Sequence, residues 1–311
     1  MKAYRALCVA AAIAAFCLVV LGAYVRLSNA GLGCPDWPLC YGRALPAEIS
    51  DAASAAKAWK EMAHRYLAGS LGVLIVVLAV AAWRLRRSRV LATVVIGLVA
   101  LQATLGMWTV TLLLKPALVT AHLLGGMATL ALLSWLALAQ WPHAAYPAMR
   151  SIRPIAVLAL AALALQIALG GWVSANYAAL ACPDLPLCRG QLVPPMDFAN
   201  GFHLVRELGQ TAEGKPLSTD ALTAIHWSHR VFALVVVSLA LLAAARARHL
   251  APALALLIAA AAALQFALGV ANVATGLPLA LAAAHNAGAA LLLVSLVVLN
   301  FFAFRALRPP R

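Results

Sequence analysis

Four histidines lie in apolar stretches of the chain, and their arrangement in pairs suggests metal chemistry. They are His64, His122, His229 and His285. Ionisable groups at membrane depth are costly and usually functional, although any one of these histidines taken alone could equally be an interfacial or hydrogen-bonding residue. Because the four occupy matching places in two similar halves of the chain, we expect each half to present two imidazoles on neighbouring helices.

Two neutral imidazoles at one level form the ligand set of a six-coordinate haem iron. Gly69 and Gly72 follow His64, Gly125 and Gly126 follow His122, and Gly288 follows His285. These glycines would leave room for a flat macrocycle, although glycine also serves ordinary helix packing. Zinc is the rival metal, but it needs a third or fourth tight ligand that neither half supplies. The residue types therefore favour haem.

The residues beside the histidines differ between the two halves. Glu61 precedes His64 by three residues, so both project from one helix face, whereas His226 stands at the same place before His229. This asymmetry predicts that the halves do different jobs. The plainer alternative is that Glu61 only caps its helix, where a negative charge in the first turn is favourable.

An arginine follows one histidine of each pair. Arg65 comes directly after His64, and Arg230 comes directly after His229. Each guanidinium could bind haem propionates in a bidentate manner or could anchor its helix at the lipid headgroups. The residues alone leave both interpretations open.

Four of the six cysteines form two loops with the pattern C-P-x-x-P-L-C. Two prolines in each five-residue gap make a tight bend that could bring Cys34 to Cys40 and Cys182 to Cys188. Disulfides persist outside the cytoplasm, and each pair could be a structural staple or a redox-active pair. Zinc bound by all four cysteines is less compatible with an oxidising compartment.

The elements that carry these residues are apolar runs of membrane-spanning length. The chain is 65% hydrophobic and only 10% charged, whereas a soluble domain carries about 25% charged residues. A bilayer core requires about 20 apolar residues in helical form. We expect eight transmembrane helices, near residues 6–25, 62–83, 90–112, 117–139, 153–176, 222–244, 251–273 and 279–304.

The charges predict how these helices cross the membrane. If the N-terminus is cytoplasmic, the inner segments carry basic residues and no acidic ones: Lys2, Arg5, Arg84, Arg86, Arg87, Arg89, Arg150, Arg153, Arg246, Arg248, Arg305, Arg308 and Arg311. All 9 acidic residues fall on the outer side: Asp36, Glu48, Asp51, Glu61, Asp184, Asp197, Glu207, Glu213 and Asp220. The positive-inside rule then predicts that both termini are cytoplasmic.

The net charge of the chain is +14. We expect this positive charge to interact with anionic lipid rather than with nucleic acid, because no basic soluble domain exists.

An internal repeat divides the chain into two halves. CPDWPLCYG at 34–42 matches CPDLPLCRG at 182–190, and a Leu-Gln-x-x-Leu-Gly pattern begins at Leu101, Leu165 and Leu264. The predicted fold is an all-α integral membrane protein of eight helices, built from two parallel four-helix-bundle repeats. Residues 1–145 would form the N-terminal half and residues 150–305 the C-terminal half.

Seven segments together resemble the haem A synthases of bacteria and mitochondria. They are VRLS at 25–28, GLGCPDWPLC at 31–40, EMAHR at 61–65, AHLLGG at 121–126, GFHLVRELG at 201–209, HWSHR at 226–230 and AHN at 284–286. The resemblance covers nearly the whole chain, and its motifs fall in order on the predicted helices.

The resemblance implies two haem sites with different roles. The N-terminal half would bind the substrate haem O through His64 and His122, with Glu61 as a catalytic base or as a group that stabilises a cationic intermediate. The C-terminal half would bind a haem b cofactor through the iron ligands His229 and His285. Only one of His226 and His229 is expected to ligate iron, and the match of His229-Arg230 to His64-Arg65 favours His229. Successive oxidations, with water as the oxygen source, would turn a methyl group of haem O into the formyl group of haem A.

The resemblance also implies a setting, and two other functions compete with it. We expect a multi-pass protein of the plasma (inner) membrane, with its haem sites and cysteine loops toward the periplasm. Haem O synthase and oxidase assembly factors would be its partners, and a homo-oligomer is possible.

The first competing function is that of an electron-transfer protein with two b-type haems. The second is a transporter or chaperone for haem, which is disfavoured because the polar residues gather at the outer end of the helices.

Overall fold

The protein is described by a computed structural model that covers residues 1–46, 49, 51–142 and 147–305. Three residues of the predicted charge pattern, Glu48, Arg308 and Arg311, lie outside the described residues. So does position 145, the predicted end of the N-terminal half. The described residues contain helices and no β-strand, as expected for an all-α chain.

The described part of the chain contains nine α-helices. They are α1 (Lys2–Leu27), α2 (Ala52–Arg84), α3 (Arg89–Thr111), α4 (Pro116–Ala139), α5 (Arg153–Ala175), α6 (Phe198–Gly201), α7 (Thr219–Ala247), α8 (Pro252–Ala274) and α9 (Leu279–Arg305). All of them except the four-residue α6 are long and apolar enough to cross a membrane, which gives 8 candidate spans. The predicted number of spans is therefore confirmed.

Local signals in the sequence set the helix boundaries. Pro116 and Pro252 begin α4 and α8, where the fixed φ angle of proline suits the first turn and its missing N–H is not needed. Asp51 caps α2 by accepting a hydrogen bond from the backbone N–H of Ser54 at 2.8 Å. This cap starts α2 ten residues before the predicted span. Glu61 consequently lies in the third turn of α2, so the interpretation of Glu61 as a helix cap is wrong.

The helices pack as two rings of four. In one ring α1 contacts α2 and α4, and α3 contacts the same two helices. In the other ring α5 contacts α7 and α9, and α8 contacts the same two helices. The helices that carry paired histidines, α2 with α4 and α7 with α9, are therefore diagonal neighbours across their rings. The rings meet where α4 packs against α5 and α9 and where α1 packs against α9.

Four of the connections between the helices share one end of the bundle. The described residues of the connections 28–51, 112–115, 176–218 and 275–278 lie at one end, which we call the disulfide end because two of these connections contain the paired cysteines. The long connection 176–218 includes α6 and is tied down by Arg206. This guanidinium is buried, donates to Asn176 Oδ1 at 2.5 Å and stacks over Trp172. Burial lowers the pKa of Arg206 below its ordinary value.

We expect Ser218→Ala to fray the start of α7, since the Ser218 hydroxyl accepts from the N–H of Ala221 at 3.1 Å. Losing such a cap costs about 1 kcal/mol. Hydrogen exchange of the first-turn amides of α7 in detergent should become faster. Ser218→Asp keeps an acceptor at the same place and should protect those amides as the native serine does. Equal exchange in Ser218→Ala and the native protein would contradict the cap.

Candidate haem centres

Each of the four paired histidines packs against a glycine of a neighbouring helix. A methyl group added to the glycine would lie close to Cε1 of the imidazole in every case. The four distances are 2.9 Å for Gly22 and His64, 3.2 Å for Gly106 and His122, 3.0 Å for Gly170 and His229, and 3.2 Å for Gly269 and His285. The four rings therefore occupy equivalent pockets. A methyl group at Gly22 would overlap the His64 ring, and a methyl group at any of the other three glycines would lie closer to its ring than in an ordinary contact. Sequence reasoning missed these glycines, although three of them end the Leu-Gln-x-x-Leu-Gly patterns.

The spacing of one histidine pair matches that of two axial haem ligands. The ring centroids of His229 and His285 are 6.4 Å apart, with an angle of 79° between the ring planes. A metal–imidazole bond is about 2 Å long and the ring centroid lies about 1 Å farther back, so two imidazoles on opposite sides of one metal have centroids about 6 Å apart. The separation of the His229 and His285 rings is therefore that of two imidazoles bound to one iron.

The buried ring nitrogens also suit metal ligation. Nδ1 of His64, His122 and His285 is buried and has no hydrogen-bond partner among the described residues. An unpaired buried polar atom is costly and calls for a missing partner. No group of three or more His, Cys, Asp or Glu side chains in the described ranges could hold a metal ion. A haem, which needs only two protein ligands, fits these donors better than zinc does.

Glu61 is held between the first disulfide loop and Arg65. The backbone N–H of Cys34 donates to Glu61 Oε2 at 3.0 Å, and Arg65 Nη2 lies 2.5 Å from Glu61 Oε1. Nη1 of the same arginine donates to the carbonyl oxygens of Asp36 at 2.9 Å and Leu39 at 2.7 Å. Glu61 is only 4% exposed. The carboxylate is thus fixed in one orientation, three residues before His64.

His226 takes the place of Glu61 in the C-terminal half. The backbone N–H of Cys182 donates to His226 Nδ1 at 3.1 Å, and Arg230 donates to the carbonyl oxygen of Asp184 at 2.8 Å. The sequence had predicted this correspondence between Glu61 and His226. Because His226 faces the loop while His229 faces His285, the contacts favour His229 as the iron ligand.

The two arginines have partners that the sequence did not predict. Arg65 and Arg230 both bind carbonyl groups of the adjacent cysteine loop. Each guanidinium therefore fastens the loop to the helix that carries a histidine. The predicted contact of these arginines with haem propionates stays a prediction.

Both predicted cysteine pairs are bonded, and the two loops have the same internal structure. Cys34 joins Cys40 and Cys182 joins Cys188. In the second loop, the Asp184 carboxylate accepts from the N–H of Arg189 at 2.6 Å and of Gly190 at 2.8 Å. The N–H of Gly190 contributes most to holding the pKa of Asp184 below its usual range. All four cysteines are buried, which favours a structural staple because thiol exchange requires an accessible sulfur.

Carboxamide side chains approach the histidines of the C-terminal half. Gln166 Nε2 lies 3.1 Å from His229 Nδ1, and Gln265 Nε2 lies 3.3 Å from His285 Nε2. Sequence reasoning had noted these glutamines only as polar residues deep in the membrane. Their place in the Leu-Gln-x-x-Leu-Gly pattern, four residues before the glycine under each histidine, is the signal that could have identified them.

The chain is similar to known proteins along most of its length. The sequence model of the COX15-CtaA family, described as cytochrome oxidase assembly protein, matches residues 5–297. The chain belongs to this family. The match covers both histidine pairs, both cysteine loops and all eight candidate spans almost completely.

Individual relatives in the COX15-CtaA family carry a more specific name. A haem A synthase of Shewanella oneidensis is 41% identical over 307 residues, which cover 92% of each chain. A haem A synthase of Caulobacter sp. (strain K31) is 30% identical, over 96% of this chain and 94% of its own. One from Halalkalibacterium halodurans is 30% identical over 62% of this chain and 67% of its own. The resemblance inferred from the motifs is therefore confirmed.

We expect Gly170→Ala to weaken haem binding at the C-terminal pair about tenfold, because the new methyl group displaces the His229 ring. Alanine is the better helix former, so helix propensity cannot explain a loss. Gly97→Ala is the matched control, since a methyl group there meets no atom within 4 Å. Absorbance titration of the purified apoproteins with haem measures the affinities. Equal affinities of the two variants would contradict the close packing of His229.

Proposed function

We propose that this protein converts haem O into haem A by oxidising a methyl group of the porphyrin to a formyl group. The similarity to haem A synthases over nearly the full length of both chains supports this function. The observation that carries the proposal is the pairing of two histidine sites, only one of which has a carboxylate beside it. Such an asymmetry suits one substrate site and one cofactor site.

The C-terminal site would hold haem b between His229 and His285. The 6.4 Å separation of the ring centroids supports this assignment. When bound, the haem would supply one-electron transfer. The chain itself would contribute the two imidazole ligands.

The N-terminal site would bind haem O as substrate through His64 and His122. Glu61 would act there as a base or would stabilise positive charge at the edge of the porphyrin, with water supplying the oxygen. A carboxylate has about four lone-pair positions, and Cys34 and Arg65 occupy two of them. The remaining positions leave Glu61 able to accept a proton without losing its orientation.

The arrangement in the membrane follows from the same assignment. The two rings of helices would be parallel repeats, 1–145 and 150–305, and the equivalent glycine pockets support this interpretation. Both termini would lie in the cytoplasm and the disulfide end in the periplasm, at the inner membrane of the cell. Haem O synthase and oxidase assembly factors are the expected partners, and a homo-oligomer is possible.

The haems extracted from the protein should test the function directly. We expect protein expressed in a host that makes haem O, and purified in detergent, to contain haem b together with haem A or its hydroxylated precursor. Chromatography and mass spectrometry of the extract identify them. Two equivalents of haem b, unchanged by added haem O synthase, would instead indicate a di-haem electron carrier.

We expect Glu61→Gln to retain haem O while making haem A at least about 100-fold more slowly, which is the lower end of the contribution of a general base. The amide still accepts hydrogen bonds from Cys34 and Arg65 but cannot take up a proton. Haem A produced per haem O bound is the measurement. Glu213→Gln, a change in the exposed part of the long connection, is the control. Haem A formed at the native rate by Glu61→Gln would remove this role for Glu61.

A further inference from the structure

The four glycine pockets are equivalent, but the residues four positions before the glycines are not. Gln102 precedes Gly106, Gln166 precedes Gly170, and Gln265 precedes Gly269. The corresponding residue before Gly22 is Leu18. Four residues are about one helical turn, so each of these side chains lies one turn along the helix from the glycine that supports a histidine ring. His64 is the histidine whose pocket has leucine at this place.

Both histidines of the C-terminal half contact a carboxamide. Gln166 Nε2 lies 3.1 Å from His229 Nδ1 and donates to the backbone oxygen of His229 at 3.0 Å. Gln265 Nε2 lies 3.3 Å from His285 Nε2, and its carboxamide packs against Gly288, one turn beyond the histidine. Each ring is therefore restrained through one of its two nitrogens.

Among the described residues, no carboxamide nitrogen contacts a ring nitrogen of His64 or His122 as in the C-terminal half. Leu18 offers no polar atom to His64, and His64 Nδ1 is buried without a partner. The Gln102 carboxamide packs against Gly125 as that of Gln265 packs against Gly288. However, Gln102 Nε2 and His122 Nδ1 are both buried without a partner. The two halves thus differ in how firmly their imidazoles are held.

A carboxamide can do more than restrain the ring. The Oε1 atoms of Gln166 and Gln265 are buried and lack hydrogen-bond partners. Rotation about the last bond of Gln265 would place Oε1 where Nε2 now lies, so that it accepts the N–H of the His285 imidazole. In Gln166 the same rotation would exchange the bond to the backbone oxygen of His229 for a bond accepted from the ring N–H. That hydrogen bond fixes the tautomer and leaves the lone pair of the other ring nitrogen for a metal. Such partners of metal-binding histidines typically change metal affinity 10–100-fold.

We propose that Gln166 and Gln265 are positioning residues that make the C-terminal haem a resident cofactor, whereas Leu18 leaves His64 unbraced so that the N-terminal haem can exchange. This inference rests on the proposed function, in which the N-terminal half must admit haem O and release haem A. It assigns the difference between cofactor and substrate to a single position of the repeat, occupied by Gln166 in one half and Leu18 in the other.

The test transfers the carboxamide between halves and measures haem loss. Haem b is the probe for both sites, each studied in a full-length protein whose other site lacks its histidines: His64→Ala with His122→Ala, or His229→Ala with His285→Ala. Excess apomyoglobin captures released haem, and absorbance gives the rate. Gln166→Met removes the carboxamide from the C-terminal site. Leu18→Gln adds one to the N-terminal site, and Leu18→Met is its control of similar size.

We expect Gln166→Met to speed haem loss about tenfold and to change the low-spin electron paramagnetic resonance spectrum of the haem. We expect Leu18→Gln to slow haem loss from the N-terminal site about tenfold, while Leu18→Met does not. Identical rates for Leu18→Gln and Leu18→Met would overturn the proposal. So would an unchanged rate and spectrum in a folded Gln166→Met protein. If Gln166→Met does not fold, as judged by circular dichroism, the Leu18 pair decides alone.

The result is independent of whether haem A is made. A protein that binds haem b at both sites but yields no haem A would refute the proposed function, and the haem-loss rates would still test the bracing. Conversely, haem A formation with equal haem-loss rates in all variants would refute the bracing and leave the function in place.

Discussion

The close contact between an imidazole ring and a glycine of the neighbouring helix is the constraint on which the bundle depends. It occurs four times, and a methyl group on the glycine would lie only 2.9 to 3.2 Å from Cε1 of the ring. Each histidine ring packs directly on the backbone of the adjacent helix at a glycine. The two helices cannot slide or rotate against each other without losing this contact, because protein interiors are closely packed. The contact thereby fixes the register of α2 on α1, and of α4 on α3, along with their counterparts in the second ring. It also sets the level at which the paired histidines stand.

The cysteine loops extend this constraint beyond the helices. Each loop is closed by a buried disulfide, and its backbone binds an arginine and one further side chain of α2 in the first half or α7 in the second. In the first half the further side chain is Glu61, and in the second it is His226. A repeated scaffold therefore presents a carboxylate at one site and an imidazole at the other. Two halves with the same backbone arrangement can therefore differ in chemistry through one residue, Glu61 in the first half and His226 in the second.

Much of this could be predicted from the sequence, because the signals are strong and local. Apolar runs of bilayer length predicted all eight spans, and the repeated motifs predicted that Glu61 and His226 correspond. Two other features could not be predicted. The early start of α2 depends on the Asp51 cap, which lies in a polar stretch outside any hydropathy signal. The contacts of Gln166 and Gln265 depend on the rotation of one helix against another, and apolar patterning says little about rotation when a helix is hydrophobic on every side.

The position of α9 has a consequence for communication between the two centres. This helix carries His285 and is the most enclosed of the spans, with 61% of its most apolar stretch buried. It also packs against α1, which supplies the glycine under His64. A displacement of α1 at the contact between Gly22 and His64 would therefore be transmitted by direct packing to the helix that carries His285. The two histidine pairs are in this way connected mechanically through α1 and α9, without a dedicated signalling element.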